Sequence, residues 1–369
     1  MIRSTIRTEG NPRQAINNLL RRLLEEHVVD ALMVQQRVGS GDNAVQTLVR
    51  DPAKLADMDP LAPVMPITAA RLVSNITMTG VKERIAAVMR PCEIRAVVEL
   101  VKLQQAKADN LLIVGLDCLG TYEVTDYADL SRAGVDTVSE LLGYAASGDP
   151  RPHDGKSFRA ACQMCERFTP QIGDLRIGLF GANPDEFLCI EAEESLAEKL
   201  GLQLAPFPAE RDRVIASLTE KRIAARDEIF AMYRKQVKDI GGLQAMLSTC
   251  IRCHNCMVNC PICYCKECIF RTPIFDHESD KYQQWASRKG AIRLPTDTLL
   301  FHITRLNHMV TSCVGCGMCD SACPNDLPVA AMFRAVGQEV QALFDYEPGR
   351  SLDELPPVAT FREDELEGV

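Results

Sequence analysis

Apolar residues recur at helical spacing near the start of the chain and again in its second half. Between residues 13 and 28 they return every three or four positions, and the segment from about 211 to 248 repeats this pattern. Such spacing collects apolar side chains on one face and therefore predicts amphipathic helices. In the first helix that face consists of Ile16, Leu19, Leu20, Leu23 and Leu24.

Short apolar runs predict strands between these helices. The runs at 83–90 and 110–118 predict two buried strands, and the segment 91–107 predicts a helix that starts at Pro91. Strand, helix and strand within about 35 residues predict a βαβ unit with a parallel pair. Ligands of such sheets lie beyond the carboxyl ends of the strands, where Cys92 and Cys118 occur. Further strands are predicted at 30–36, 45–50, 174–181 and 186–192.

These patterns predict three regions. Residues 1–210 form an α/β domain, residues 211–345 form a mainly helical, cysteine-rich domain, and residues 346–369 form an acidic tail. From 351 onward the tail has six acidic residues and one arginine. It is interpreted either as a solvated tail or as an arm that docks on a partner subunit.

Composition narrows the class of protein. A net charge of −9 argues against a nucleic-acid binder, which needs a cationic face. No run approaches the roughly 20 apolar residues of a membrane span, and the N-terminus lacks the apolar core of a signal peptide. We therefore expect a cytoplasmic protein. In a reducing compartment, metal or cluster ligation explains a set of sixteen cysteines better than disulfides do.

Two cysteine runs share one pattern, C-x2-C-x2-C-x3-C-P, at residues 250–261 and 313–324. This is the signature of two-cluster bacterial ferredoxins, in which the fourth cysteine of each run ligates the other cluster. One predicted 4Fe-4S cluster is therefore held by Cys250, Cys253, Cys256 and Cys323. The other is held by Cys260, Cys313, Cys316 and Cys319.

Structural zinc is the alternative to clusters, but zinc sites favour paired C-x-x-C knuckles with four ligands in all. The segment between the runs, 269–312, is long and suited to helices, which predicts a helical ferredoxin domain like that of succinate-dehydrogenase-type iron–sulfur subunits. The nearby histidines are interpreted as surface or packed residues: His254, His277, His302 and His308.

The remaining cysteines leave alternatives open. Two single residues and one C-x-x-C step in the α/β domain predict a third four-cysteine site, which holds a cluster, zinc or free thiols: Cys92, Cys118, Cys162 and Cys165. Cys189 is predicted to be a core residue. The first run also carries three surplus cysteines, Cys263, Cys265 and Cys268. They either form a fourth cluster, with Cys189 or a histidine as the missing ligand, or are packed thiols.

Three segments carry a family resemblance. "RIAAVMRPCEIRAVVELVK", "CQMCERFTPQIGDLRIGLFG" and "LLRRLLEEHVVDALMV" are similar to segments of the coenzyme F420 hydrogenase/dehydrogenase β-subunit family. The resemblance covers roughly residues 13–200. With the ferredoxin-type runs attached, the chain most resembles β subunits of the F420-dependent formate dehydrogenase type.

The resemblance implies a flavin-type N-terminal domain with FAD, a 4Fe-4S cluster beside it and a docking face for a hydride carrier. The resemblance implies that Cys92, Cys162 and Cys165 are ligands of this cluster. Cys118 fits as the fourth ligand because it follows a strand. The residues it implies for FAD are Ser74, Asn75, Thr77, Arg90 and Pro91.

Arg90 replaces the family's small residue, and its cation is expected either to stabilise a reduced, anionic flavin or to form an ordinary surface salt bridge. Glu166 and Arg167 also depart from the family pattern, so the hydride carrier is left open as F420, a nicotinamide or another protein.

The resemblance and the cysteine pattern together predict an oxidoreductase subunit without catalytic side chains of its own. It passes electrons from a hydride carrier at FAD through three 4Fe-4S clusters to a catalytic partner, such as a molybdenum or tungsten formate dehydrogenase. One alternative is a flavin-free wiring subunit that links a heterodisulfide-reductase-like partner to a dehydrogenase. Another is a zinc-stabilised interaction protein.

Overall fold

A computed structural model of the chain describes residues 1–290, 297–361 and 363. The N-terminal region forms one mixed seven-stranded sheet in the order β1-β7-β6-β5-β4-β2-β3. The strands are β1 (Ile2–Arg7), β2 (Ala31–Arg37), β3 (Ala44–Val49), β4 (Ile85–Met89), β5 (Leu111–Leu116), β6 (Leu175–Gly178) and β7 (Phe187–Ala192). The four central strands β2, β4, β5 and β6 run parallel, and the outer pairs are antiparallel.

Seven helices accompany the sheet: α1 (Pro12–Glu25), α2 (Ala69–Met78), α3 (Pro91–Lys102), α4 (Val124–Arg132), α5 (Thr137–Gly143), α6 (Ala160–Gln163) and α7 (Glu194–Lys199). Alternate strand residues face opposite sides, so the sheet separates two cores. On β4, for example, Ala86 and Val88 join one core, whereas Ala87 and Met89 join the other.

Helices of the C-terminal region are α8 (Glu210–Gln236), α9 (Ile240–Met246), α10 (Asn255–Val258), α11 (Ser279–Lys289), α12 (Thr298–Met309), α13 (Met318–Ser321) and α14 (Val329–Leu343). Short 3-10 turns occupy Pro52–Lys54, Ile269–Arg271, Pro273–Phe275 and Pro357–Ala359. The second core of the sheet continues into this region through side chains such as Ile262, Val314 and Phe333. The cysteine runs therefore pack against the sheet domain.

The expected α/β region and helical C-terminal region are both confirmed, and so is the parallel βαβ unit β4-α3-β5. Strand β1 and helix α2 were not predicted. The helical pattern predicted from about 211 to 248 is broken after Gln236, where α8 ends, and α9 begins at Ile240. The boundary predicted at residue 211 falls at the start of α8, and the three-region division stays a prediction.

The first part of the predicted tail docks on the chain itself. Glu99 on α3 is fully buried and accepts hydrogen bonds from the Tyr346 hydroxyl at 2.7 Å and the Gly349 amide at 2.8 Å. Lys102 completes the cluster, 2.8 Å from Glu99. Residues 346–349 thus lie along α3 instead of forming a free tail. Positions 362 and 364–369 lie outside the described residues.

Within the described ranges, no helix is both long and apolar enough to cross a membrane. The cytoplasmic location stays a prediction.

Candidate iron–sulfur sites

The carboxyl ends of β4 and β5 bring the first group of cysteines together. Cys92 lies in the first turn of α3, directly after β4, and Cys118 lies two residues beyond β5. The α6 turn supplies the other two members, which line the same cavity. We call this cavity the sheet site; its four thiols are Cys92, Cys118, Cys162 and Cys165.

The sheet site is buried and flanked by cations. Burial raises the pKa of the Cys118 thiol to about 11; Cys162 raises it further, whereas the Arg90 guanidinium opposes the shift. Burial also raises the pKa of Cys165, and Arg222 opposes that shift. Charged thiolates are therefore unfavourable here unless a metal compensates them.

The fourth cysteine of each run crosses to the other run. One cavity is lined by Cys260 from the first run and by three cysteines of the second, Cys313, Cys316 and Cys319. We call it the inner site. Another is lined by three cysteines of the first run and by one of the second: Cys250, Cys253, Cys256 and Cys323. We call it the outer site, because Cys253 is exposed.

This crossed grouping is the one that the spacing predicts, and a set of four cysteines is the donor set of a 4Fe-4S cluster. In the described part of the chain, no three His, Cys, Asp or Glu side chains are grouped to hold a metal ion. A four-iron cubane is a larger body than one ion, so its ligands surround a cavity and do not converge on a point. That these twelve cysteines ligate clusters stays a prediction.

The two runs have the same backbone geometry but different side chains. In the first run Arg252 and His254 have φ of 56° and 60°, and the equivalent residues of the second run, Gly315 and Gly317, have φ of 74° and 71°. A Cβ at Gly317 would lie 2.2 Å from the Cβ of Ala161. The inner site therefore needs glycine where the outer site accepts side chains.

The inner site contacts the sheet domain on one side. Cys316 and Gly315 line both the inner and the sheet cavities. Arg159, 3% exposed, donates from Nη2 to the Cys316 carbonyl at 3.1 Å and from Nε to the Ser321 hydroxyl at 2.8 Å. The sheet and inner sites are therefore neighbours in one packed structure.

The outer site contains two histidines that were interpreted as surface or packed residues. His302 is 1% exposed, and its Nε2 lies 3.4 Å from Cys250 Sγ. Burial lowers the pKa of His302 to about 4, and the Arg305 cation contributes, so the ring is neutral near neutral pH. His254 lines the same cavity and stacks on Phe301 at 4.5 Å. Sequence spacing carried no signal for either contact.

The surplus cysteines do not converge with Cys189. Cys189 is buried on β7, with Arg211 and Asp117 as its charged neighbours. Cys263 packs beside Cys260, and burial raises the pKa of its thiol to about 11. Cys268 packs against the same apolar cluster as Cys263, with its Sγ 3.9 Å from Met257 Sδ, whereas Cys265 is exposed. The core position predicted for Cys189 is confirmed.

The residues predicted for FAD divide into two groups. Arg90 and Pro91 line the sheet site. Arg90 is 7% exposed, so the predicted surface position of its salt bridge is wrong: the ion pair, from Arg90 Nη1 to Glu93 Oε2 at 3.7 Å, is buried. Its Nη2 donates to Gln35 Oε1, at 2.9 Å, and to two main-chain carbonyls.

Ser74, Asn75 and Thr77 lie on α2, away from that cavity. The Ser74 hydroxyl donates to the Gln105 carbonyl at 2.6 Å, Thr77 accepts from the Lys107 amide at 3.1 Å, and Asn75 is exposed. No contact of this group marks a flavin site, and its part in FAD binding stays a prediction.

Comparison with known proteins agrees with the cysteine geometry. Residues 82–201 match the C-terminal part of the family of coenzyme F420 hydrogenase/dehydrogenase beta subunits, and residues 245–327 match the "4Fe-4S dicluster domain". The chain is 26% identical to the F420-dependent formate dehydrogenase subunit beta of Methanocaldococcus jannaschii, over 93% of each chain. It is 27% identical to F420-dependent formate dehydrogenase 1 subunit beta of Methanococcus maripaludis, over 93% of this chain and 92% of that one.

Among solved structures, a chain of the F420-reducing NiFe hydrogenase complex from Methanosarcina barkeri aligns with a TM-score of 0.46 and 11% identity. The alignment covers 65% of this chain and 94% of that chain. This likeness is too weak to carry an argument. The predicted family resemblance is confirmed by the family match and the two relatives, as is the prediction of an oxidoreductase subunit.

Proposed function

From its kinship with the coenzyme F420 hydrogenase/dehydrogenase β subunits, we propose that this chain is the electron-transfer subunit of a multisubunit dehydrogenase. It passes electrons between a hydride carrier, F420 or a similar molecule, and a catalytic partner such as a molybdenum or tungsten formate dehydrogenase subunit. The relatives at 26 and 27% identity are named as β subunits of F420-dependent formate dehydrogenases, which supports this choice of carrier and partner.

The observation that carries the proposal is a row of three four-cysteine cavities. The sheet and inner cavities share Cys316 as a lining residue. Arg305 lines the inner cavity and donates to Cys256 of the outer site at 3.0 Å. Clusters bound here would each accept and release single electrons. The proposed order is therefore sheet site, inner site, outer site, with the exposed Cys253 at the far end of the row.

Within this proposal, the protein supplies ligands, burial and nearby cations. The buried thiols do not ionise readily by themselves, so binding of iron would release their protons and would stabilise the fold at the same time. Arginines then line the cavities and balance the negative charge of the ligated thiolates: Arg90, Arg159 and Arg222 at the sheet site and Arg305 at the inner site.

The proposal also includes a bound FAD, which depends on the family resemblance. A flavin exchanges two electrons with a hydride carrier and single electrons with a cluster. Arg90 and Pro91 at the sheet site support a flavin nearby, whereas the α2 residues do not contact that cavity. No step here depends on where the flavin binds.

Metal analysis of the anaerobically purified chain tests the clusters. We expect about twelve iron atoms and about twelve acid-labile sulfides per chain, because each of the three cubanes holds four of each. A chain that contains zinc and no sulfide would refute the proposal and favour the zinc-stabilised interaction protein. The domain match to a 4Fe-4S dicluster protein supports iron.

Variants of neighbouring cysteines test the cluster count. Cys260→Ser should lose the iron of the inner site, whereas Cys263→Ser should keep the full amount, because Cys263 lies outside all three four-cysteine sets. If the wild-type chain held about sixteen iron atoms and Cys263→Ser lost about four of them, a fourth cluster would be present instead of packed thiols.

Anaerobic reduction tests the electron donor. F420H2, NADH and a low-potential donor are compared while flavin and cluster absorbance are recorded. We expect F420H2 to bleach both. The flavin-free wiring subunit is the second candidate, favoured by the position of Ser74 and Thr77 away from the sheet site. That candidate holds if no FAD is released and only the low-potential donor reduces the clusters.

A further inference from the structure

A buried arginine lies between the inner and outer sites. Arg305, on α12, is 3% exposed. Its Nη1 donates to Cys256 Sγ at 3.0 Å, and its Nη2 donates to the Cys256 carbonyl at 3.0 Å. The same side chain lines the inner cavity. One guanidinium therefore touches the thiol of one site and faces the other.

The apolar surroundings of Arg305 strengthen the electrostatic interactions of its charge. The guanidinium lies over the rings of Phe301 and Phe333, 5.4 and 5.2 Å from their centroids. Both rings belong to buried residues, 1% and 3% exposed. Water is thus largely excluded, and charges interact more strongly than they do at the surface.

Arg305 has no carboxylate partner among the residues that the structure describes. Arg159, the corresponding arginine between the sheet and inner sites, has Glu123 Oε1 at 3.8 Å from its Nε. No such ion pair is formed by Arg305, and its buried Nε has no hydrogen-bond partner. A buried cation without a counter-charge is strongly unfavourable, which implies that an anion completes this environment.

The anions at hand are ligated cysteines. The thiols that face Arg305 electrostatically are Cys256, Cys260, Cys263 and Cys319, of which Cys256 belongs to the outer site and Cys260 and Cys319 to the inner site. Other charged or titratable groups of this region include His302, which is neutral near neutral pH, and His254, beside which Arg252 and Asp297 form an ion pair with each other. Once the thiols are ligated as thiolates, Arg305 lies between two negative groups.

We propose that Arg305 is a shared counter-charge that sets the reduction potentials of the inner and outer clusters. This deepens the proposed function and rests on it. Reduction adds one electron to a cluster, makes it more negative by one charge, and forms or breaks no bond in the protein. A nearby cation favours the more negative state, so Arg305 raises the potential of each cluster.

The test is a redox titration followed by electron paramagnetic resonance on the anaerobic holoprotein, comparing wild type, Arg305→Gln and Arg305→Lys. Gln removes the charge and keeps polarity, whereas Lys keeps the charge and removes the two-pronged geometry. The sheet-site cluster is an internal control, because Arg305 does not line the sheet-site cavity. Its signal is identified by its loss in Cys92→Ser.

In Arg305→Gln we expect the inner and outer potentials to fall, with at least a tenfold lower reduced-to-oxidised ratio at a fixed potential. This is about 59 mV for a one-electron couple. The sheet-site potential should stay constant, and Arg305→Lys should retain most of the wild-type values. Loss of the outer cluster in Arg305→Gln but not in Arg305→Lys would equally support a charge requirement.

Other outcomes overturn the inference. Unchanged potentials in a fully loaded Arg305→Gln protein would show that the charge is irrelevant. Equal shifts, or equal loss of clusters, in both variants would show that the shape of the arginine matters and not its charge. These results leave the proposed function intact, which fails separately if the wild-type chain contains no iron and sulfide.

Discussion

Gly317 offers a direct test of the contact between the sheet and inner sites. It follows Cys316, which lines both cavities, and its φ of 71° lies in the left-handed region. A Cβ added at Gly317 would approach the Cβ of Ala161 to 2.2 Å. Ordinary carbon–carbon contacts lie at about 3.5–4.0 Å, so one of the two loops must move by more than about 1 Å.

We therefore expect Gly317→Ala to be destabilising through two effects. The left-handed backbone costs a non-glycine residue about 1–2 kcal/mol, and overpacking a filled contact costs about 1–3 kcal/mol. The free energy of unfolding should fall by about 2–5 kcal/mol in total. Because Ala161 precedes Cys162, the same displacement should move the Cys316 and Cys162 loops apart and slow electron passage between the sheet and inner sites.

The matched control is Gly134→Ala. Gly134 has a φ of 76°, but nothing lies within 4 Å of an added Cβ, so only the backbone effect applies. Both variants are unfolded with urea under anaerobic conditions, with cluster absorbance and circular dichroism as probes. Freeze-quenched samples then compare the rate at which inner-cluster signals appear. The reasoning is refuted if Gly317→Ala is no more destabilising than Gly134→Ala and transfers electrons at the wild-type rate.

Three further predictions concern two buried ion pairs and the removal of iron. Glu99→Gln should lower the free energy of unfolding by about 3–5 kcal/mol, because the buried Lys102 loses its carboxylate partner at 2.8 Å and keeps only Glu354 at 3.9 Å, and should speed proteolytic release of the segment that contains Tyr346. Asp117→Asn should have a similar effect in urea titrations, because it breaks the buried pair with Arg211 at 2.7 Å. Removing iron with a chelator should expose the cysteine runs to protease while the sheet region resists, because the runs depend on their ligands and the sheet has its own apolar core.

Each of these predictions has its own control. Tyr346→Phe removes only a hydroxyl and should cost about 1 kcal/mol, so an equal loss in Glu99→Gln would contradict the buried pair with Lys102. Arg3→Gln removes an arginine that is 60% exposed and should be nearly neutral beside Asp117→Asn. Uniform cleavage along the chelated chain would show that the two regions do not unfold separately.

Local patterns predicted the parts of this fold that depend on near neighbours. The apolar runs predicted β4 and β5, because a parallel strand that is buried on both faces has apolar side chains on both. Pro91 marked the start of α3. Strand β1 was missed because it is an edge strand with mixed side chains, and it is identified only by its pairing with β7. Helix α2 was not predicted, because its segment was assigned to FAD binding from the family resemblance. Its Ala69, Ala70 and Val73 form an apolar face that packs in the second core.

The cysteine spacing alone predicted the type of site and the crossed grouping of the two runs, because ligand geometry at x2 spacing is set within a few residues of chain. It could not reveal that Cys316 faces the sheet domain, that His302 touches Cys250, or that Arg305 lies between two sites. These contacts join residues far apart along the chain. They form only when the sheet, α12 and the cysteine loops pack into one core, and that packing determines the neighbours, the burial and therefore the charge at each site.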